Sequence, residues 1–374
     1  MTAEPENLRT VGVEEEFLLA RAGTDELMAA GEVVVELAGR RADRSDKDVA
    51  GAAFEHEFKR EQAELGTPPC HTLEELGAEL RGRRRLLAGA ARDRGARLLV
   101  TGTSPVPGRA TPTDDQRYDR MNAAFAVVAR QQLSCGMHVH VAVDSRAEGV
   151  AVLDRIRPWL SVLIALSANS PFSAGHDTGY ASYRTVLWGQ WPTAGVTEAF
   201  GDEAGYDRVC AALIASGAAL DDGMIYFEAR LSASYPTVEI RVADVCRDVD
   251  DAVTVAGVAR GLVEAGVRRA AAGEPTAPVR TELLRAASWA ASRHGLAREL
   301  VDPLTGERVP AWTRVGDLLD WIGDAVAAQD RSRLETGLDR IRRIGTGADR
   351  QRAAYGSAGR IEDVLAAVTE PSAS

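Results

Sequence analysis

Of the 44 basic residues in this 374-residue chain, only Lys47 and Lys59 are lysines. No GxxxxGK[ST] pattern occurs, so a P-loop is excluded. Any phosphate bound here must be met by arginine, a metal ion or backbone amides. Cysteine is scarce too: Cys70, Cys135, Cys210 and Cys246 stand far apart with no CxxC pair, which fits buried thiols in a reducing compartment. The longest strongly apolar run, near Leu160 to Ala168, is far too short to cross a bilayer. The opening residues MTAEPENLRT carry neither the basic nor the apolar region of a signal peptide. A cytoplasmic protein is therefore expected. Acidic residues number 55, giving a formal net charge of −11, which argues against a nucleic-acid or polyanion partner. No repeat or low-complexity segment is visible.

What remains is an ordinary globular composition, 45% apolar and 26% charged. The length allows one large domain or two closely packed ones. Thr10 to Ala20 alternates as a strand, with Val11, Val13, Phe17 and Leu19 on one face and Glu14 and Glu16 on the other. Glu15 is the exception on the apolar face. Helical spacing covers Asp25 to Arg40, and an acidic stretch, AAFEHEFKREQAELGTPPC, begins extended and ends at Pro68-Pro69. Thr72 and Glu75 form a capping box at the start of a helix that Gly95 stops. A short strand is expected at Arg97 to Thr101 and a helix at Thr113 to Gln131. A helix from Arg146 to Leu166 is bent or restarted near Pro158. Ser173 to Ala194 reads as a long loop whose Tyr180, Tyr183, Trp188 and Trp191 argue for order. Tyr206 to Leu220 reads as a helix, followed by strands at Tyr226 to Leu231 and Thr237 to Asp244. Beyond Asp250 the pattern is helical, near 250–271, 279–294, 312–328, 331–343 and 349–368, with a frayed tail from Glu370.

The chemistry centres on Cys135 to Val143, CGMHVHVAV. Period-two geometry puts Met137, Val139 and Val141 on one face and His138 and His140 on the other. Thr237 to Asp244 repeats the design, with Val238, Ile240 and Val242 opposite Glu239 and Arg241, while Glu228 and Arg230 alternate in the preceding strand. Three strands thus share one apolar face and one face bearing Glu14/Glu16, His138/His140 or Glu239/Arg241. An antiparallel sheet with helices on one side and a cleft on the other would gather these rows. Unpaired, the carboxylates would repel and their pKa values would rise. Divalent cations remove that conflict, and oxygen-rich sites with an occasional imidazole suit magnesium or manganese. Such ions between carboxylates and phosphates, with arginines nearby, describe phosphoryl transfer.

The segments VGVEEEF, GMHVHV, DTGYASYR, WPTAG and YPTVEIRVADVC together resemble the second glutamate–cysteine ligase family, carboxylate–amine ligases distantly related to glutamine synthetase. The resemblance runs from about Thr10 to Gly306. It implies an α+β fold: a glutamine synthetase-like curved antiparallel sheet forming an active-site funnel, backed by helices. It also implies a single catalytic domain over 1–374, with a mixed core at about 10–249 and a helical part at about 250–370. By the resemblance, Glu14, Glu16, His138 and Glu239 would be metal ligands, with ATP and Mg2+ or Mn2+ as cofactors. Arg241 would meet phosphate or an acyl phosphate, and Arg184 phosphate or a substrate carboxylate, with Arg230 in the same group. His140 would contact nucleotide or substrate. The family's pair of metal-site glutamates seven residues apart matches Glu57 and Glu64. That spacing puts them on opposite faces of a regular strand, so a bulge or turn must intervene.

The implied reaction joins a carboxylate, first of all the γ-carboxylate of glutamate, to an amine such as that of cysteine. It runs at the expense of ATP through an acyl phosphate, and the glutamate–cysteine activity is weak if the true pair is another. Two alternatives stand beside it: a metal-dependent hydrolase built on the HxH strand, and a non-catalytic relative that binds ATP or an amino acid. The loop tryptophans read as packing, and His56, His71, His176 and His294 as structural or exposed. Acid, amine and number of subunits stay open, a homodimer being one possibility.

Overall fold

The computed structural model describes residues 9–45, 54–55, 57–108, 110–356 and 358–371. In chain order these form β1 (Val11–Arg21), α1 (Gly31–Ser45), β2 (Phe54–Glu55), β3 (Gln62–Gly66), α2 (Leu73–Asp93), β4 (Ala96–Leu99), α3 (Gln116–Gln131) and β5 (Gly136–Ala142). Then come α4 (Arg146–Ile156), α5 (Leu160–Ser167), β6 (Phe172–Ser173), β7 (His176–Asp177), α6 (Tyr183–Trp188), α7 (Glu203–Ala215), β8 (Ala229–Leu231) and β9 (Thr237–Asp244). The chain continues with α8 (Val249–Ala271), α9 (Thr281–His294), β10 (Glu299–Val301), β11 (Arg308–Pro310), α10 (Ala311–Ile322), α11 (Ala328–Ile344), α12 (Gly347–Tyr355) and α13 (Ile361–Val368).

The alternation of β1, β5 and β9 works because one face of each is apolar. Val11, Val13, Phe17, Met137, Val139, Val141, Val238 and Ile240 are all buried. β1, β5 and β9 pack against the helical layer that includes α2, α5 and α8. The main sheet is open, with order β2-β3-β1-β5-β9-β8 and β4 pairing with β1. Every one of its pairings is antiparallel. One apolar core runs from Val11 to Val368, and the fold is α+β. Glu15 interrupts the apolar face because it has a dedicated partner. Its carboxylate accepts from Arg84 Nε at 2.8 Å and from Nη2 at 2.6 Å, and Arg84 Nη2 also donates to the Cys246 carbonyl at 2.8 Å.

The capping box at Thr72 forms, with Oγ1 accepting from Glu75 N at 3.1 Å and Glu75 Oε2 accepting from Thr72 N at 3.2 Å. Gly95, at φ 69, follows the end of α2. A 3-10 turn at Arg157–Trp159 separates α4 from α5 at Pro158. Several boundaries differ from the sequence reading. The first helix begins at Gly31, not Asp25, because Leu27 pairs with Ala20 as an isolated bridge. Asp202 caps α7 by accepting from Gly205 N, so that helix spans 203–215 rather than 206–220. The strand read at Tyr226 to Leu231 is regular only over Ala229–Leu231. The segment read as one loop from Ser173 to Ala194 contains α6 and part of the β6–β7 hairpin. The stretch 349–368 is two helices, broken where Gly356 and Gly359 take positive φ. The β10–β11 hairpin was not anticipated. Lys47 and His56 lie outside the described residues, as do 372–374 of the expected tail.

Candidate active site

Sheet register turns the alternating rows into one surface. Glu14 pairs with His138 and Gly12 with His140 across β1 and β5. His140 pairs with Glu239 across β5 and β9, and Arg230 with Glu239 across β8 and β9. On the other side of β1, Glu16 pairs with Glu64, which also pairs with Glu55. Because side chains on one face repeat every second residue, Glu14, Glu16, Glu64, His138, His140, Glu239, Arg230 and Arg241 all line one cavity of about 370 Å³. Glu57 joins them from outside the strand: the chain turns at Lys59–Glu61, where Gln62 N donates to the Lys59 carbonyl at 3.0 Å. The intervening turn required by the seven-residue spacing is therefore present.

The acidic side chains fall into two groups. One ligand atom each from Glu14, His140 and Glu239 lies within 4.8 Å of the others, and the same holds for Glu16, Glu57 and Glu64. His138 sits between them, with Nδ1 3.3 Å from Glu14 Oε2 and 3.9 Å from Glu239 Oε1, and Nε2 3.8 Å from Glu16 Oε1. Both Nε2 atoms, of His138 and His140, are buried without a hydrogen-bond partner. A buried imidazole lone pair facing carboxylates is the arrangement a cation would complete, and carboxylate-rich sets suit magnesium or manganese. By this test the residues fit a divalent ion.

Electrostatics agree. Burial, then the nearby Glu57 charge, push Glu16 up to about 7 against the pull of Arg184, the Gly136 N–H and Arg241. Burial, again followed by Glu57, puts Glu64 well above the ordinary carboxylate value. Burial opposes ionisation of Glu14 as well, but its hydrogen bond with His138 and the nearby His140 imidazole bring it net below that value. In Glu239 burial is overcome chiefly by Arg241 and Arg230, and the group ends up lowered. Burial and the adjacent Arg241 take His138 down to about 4.

Arginines close the wall. Arg230 donates to Glu239 Oε2 at 2.7 Å through Nε, and Arg241 donates to Oε1. Arg184, on the first turn of α6, lies behind Arg241; its Nη2 donates to the Arg241 carbonyl at 3.3 Å. It lines a small adjoining space with Trp188 and Tyr226 rather than the main cavity. Gly136 makes room for it, since a Cβ there would stand 2.2 Å from Arg184 Nη2. Asp244 sets the register of α6 by accepting from Ser170 Oγ at 2.7 Å and Ser182 Oγ at 2.8 Å, and Ser170 Oγ in turn accepts from Arg184 N. The Nε atoms of Arg184 and Arg241 are buried without a hydrogen-bond partner.

Trp188 and Trp191 pack with Tyr226, ring centroids 4.8 and 5.4 Å away, and also line the cavity, so they serve both roles. Residues that sequence reasoning missed include Gln62, Arg117, Tyr118, Gln132 and Ser134, all lining the cavity. Gln62 was within reach of the strand argument, since it precedes Glu64 by two. Arg117 and Tyr118 lie on α3, whose pattern carries no sign of what it covers. His71, His176 and His294 do not line the cavity.

Relatives include a protein of Frankia alni provisionally named glutamate–cysteine ligase 2-2, 51% identical over 374 residues and covering 96% of both chains. Another, from Streptomyces coelicolor and provisionally named glutamate–cysteine ligase 2, is 45% identical and covers 96% of this chain and 98% of its own. The fold is similar to that of the Francisella tularensis glutamate–cysteine ligase crystallised with AMP. The TM-score is 0.64 at 13% identity, covering 96% of this chain and 87% of that one. It is also similar to a bifunctional glutathione synthetase of Pasteurella multocida, with a TM-score of 0.62 at 15% identity, covering 96% of this chain and 51% of that one. The model of glutamate–cysteine ligase family 2 matches residues 10–367, and the chain belongs to that family.

Proposed function

We propose that this protein is an ATP-dependent carboxylate–amine ligase that forms an amide through an acyl phosphate. Glutamate is the first acid to test and cysteine the first amine. The observation that carries this reading is the convergence of two carboxylate-rich ligand sets and the buried Arg241 on one cavity, with Arg184 buried behind it. Glu14, His138 and Glu239 would hold one divalent cation, with His140 beside them facing nucleotide or substrate, and Glu16, Glu57 and Glu64 another. Such ions, magnesium or manganese, offset phosphate charge when bound.

The chain's own groups divide the remaining work. A second space of about 210 Å³, lined by Val13, Pro69, Ala142 and Pro236, adjoins the main cavity and shares Glu14, Glu64, His140 and Tyr235 with it. Its apolar walls suit the base and ribose of the nucleotide, which would bring the phosphates to the shared carboxylates. Arg241 presents a guanidinium from a buried position, with Arg184 behind it, and charge on a transferred phosphoryl group is stabilised by such preorganised donors. Glu239 holds Arg230 and Arg241 in place by accepting from both. The polar lobe with Arg117, Gln132 and Ser134 is left for the acid and the amine. Attack by the substrate carboxylate on the γ-phosphate gives the acyl phosphate and ADP, and the amine then displaces phosphate. No covalent enzyme intermediate is needed.

The test is ADP release across a panel of carboxylate–amine pairs, with mass detection of the product. Release is expected only when acid and amine are both present, and Glu16→Ala should abolish it. Unchanged turnover in that variant, or ATP-independent hydrolysis with tightly held zinc, would overturn the reading.

A further inference from the structure

The rows of charged side chains do not run the length of the sheet. Toward one end of the cavity the same face changes from large charged residues to small ones. On β1 the row Glu16, Glu14 ends in Gly12, and on β5 the row His138, His140 ends in Ala142, while on β9 Glu239 gives way to Thr237. Register sets these residues side by side, Gly12 opposite His140 and Ala142 opposite Thr237. All of the small residues line the space of about 210 Å³ that adjoins the main cavity. The fold itself does not call for the glycine. A Cβ on Gly12 would meet nothing closer than the Thr67 carbonyl oxygen at 3.8 Å, and its φ is not positive. A β-branched residue would suit a strand better, so the missing side chain leaves an open floor.

An aromatic ring stands at the rim of this floor. Tyr235, on the turn between β8 and β9, lines both spaces and is 59% exposed. Its backbone is pinned. Ser232 Oγ accepts from Ser234 N and from Tyr235 N at 3.3 Å each, and the Tyr235 carbonyl accepts from Thr237 N at 2.8 Å. The next carbonyl, of Pro236, accepts from Val143 N at 3.0 Å. A fixed turn thus holds a large ring in water beside an apolar floor, an exposure that a planar ligand would remove. The His140 imidazole meets the ring edge-on, with centroids 5.9 Å apart and planes at 89°, so the two are not stacked on each other. We propose that the base of the nucleotide lies over Gly12 and Ala142 with the Tyr235 ring stacked against it, which makes Tyr235 and Gly12 the residues that hold the base. This deepens the nucleotide reading above and rests on it. Carboxylates and cations then take the phosphates, the small residues and Tyr235 take the base, and His140 lies at the junction. Stacking asks only for a π face, and a floor without side chains lets the base come close to the strand.

The experiment measures dissociation constants of ATP and of inorganic tripolyphosphate for the full chain in Mg2+, in the wild type, Tyr235→Phe, Tyr235→Ala and Gly12→Ala. Tripolyphosphate presents the phosphates without base or ribose. Truncating a stacked aromatic weakens binding about 5- to 150-fold. Tyr235→Ala should therefore bind ATP at least about 5-fold more weakly, and Tyr235→Phe should bind it as the wild type does. Gly12→Ala should weaken ATP by a similar factor, because its methyl group lifts the base from the strand. Tripolyphosphate should bind all of these proteins alike. Wild-type ATP affinity in Tyr235→Ala would overturn the proposal, and so would an equal loss of ATP and tripolyphosphate, which puts the effect at the cations. If the wild type binds neither compound, the nucleotide reading itself fails. The triphosphate of 2-aminopurine riboside gives a second readout, since stacking quenches its fluorescence. Bound probe should be quenched in the wild type and Tyr235→Phe and bright in Tyr235→Ala; bright bound probe in the wild type would rule out the stack.

Discussion

Breaking the Glu15–Arg84 pair should damage the protein more than removing it whole. Glu15 is 0% exposed and Arg84 1%. The guanidinium spends Nε and Nη2 on the carboxylate and further donors on the Cys246 and Arg247 carbonyls. Removing one partner of a buried pair strands the other charge, at about 3–5 kcal/mol. Glu15→Leu should fall at the lower end, because Glu370 Oε2 lies 3.6 Å from Arg84 Nη1 and gives partial compensation. Arg84→Met leaves Glu15 with no cation among the described residues and belongs at the upper end. In the double variant no charge is stranded, and the residual loss is that of two carbonyls without donors, about 2 kcal/mol in all. Against a total stability of about 5–15 kcal/mol, each single change takes a large share and the pair a small one. Urea unfolding followed by tryptophan fluorescence on the four proteins gives the coupling, expected at about 3 kcal/mol or more. If the double variant loses the sum of the single losses, the pair is not the unit described here. Turnover should survive in the double variant, since Glu14 and Glu16 face the other way.

Gly136→Ala tests the packing that seats Arg184. The new Cβ would stand 2.2 Å from Nη2 and 2.7 Å from Cζ of a buried guanidinium. A displacement of about 1 Å at a positioning group lowers turnover about 100-fold, whereas wild-type ADP release in this variant would contradict the assignment of Arg184 to the site. Stability against pH offers a separate check on chelator-treated protein. Glu16 and Glu228 are each raised to about 7 and Glu64 lies well above its ordinary value, all three chiefly by burial. The fold favours their protonated forms, so the stability they give is complete below pH 4.5 and disappears as pH rises through 7, about 3 kcal/mol for Glu16 alone. His138, lowered to about 4, works in the opposite sense between about 4 and 6.5 but is one group against three. The melting temperature should fall from pH 5 to pH 8, and added Mg2+ or Mn2+ should restore more of it at pH 8 than at pH 5. A steady rise from pH 5 to pH 8 in the metal-free protein would refute the electrostatic account.

The parts of this molecule legible in its sequence are those where one side chain in two must be dry. β1, β5 and β9 each put apolar residues on alternate positions, and the leftover positions named Glu14, Glu16, His138, His140, Glu239 and Arg241 before any pairing was known. Alternation reports burial, however, and says nothing of partners. Glu15 broke the pattern, and its reason, Arg84, lies 69 residues away on a helix. The strand register brings His140 opposite Glu239 and Glu14 opposite His138, with a bulge between Met137 and Val139 that no single strand announces. Arg184 was placed in a loop because the six residues of α6 are too few for a periodic signal. What anchors α6 is Asp244, through Ser170 and Ser182, a contact made across the fold. The chemistry-bearing residues were therefore readable wherever the sheet's period exposed them. The groups that hold those residues in position were not, because ion pairs and hydrogen bonds between distant segments leave no periodic trace in the chain.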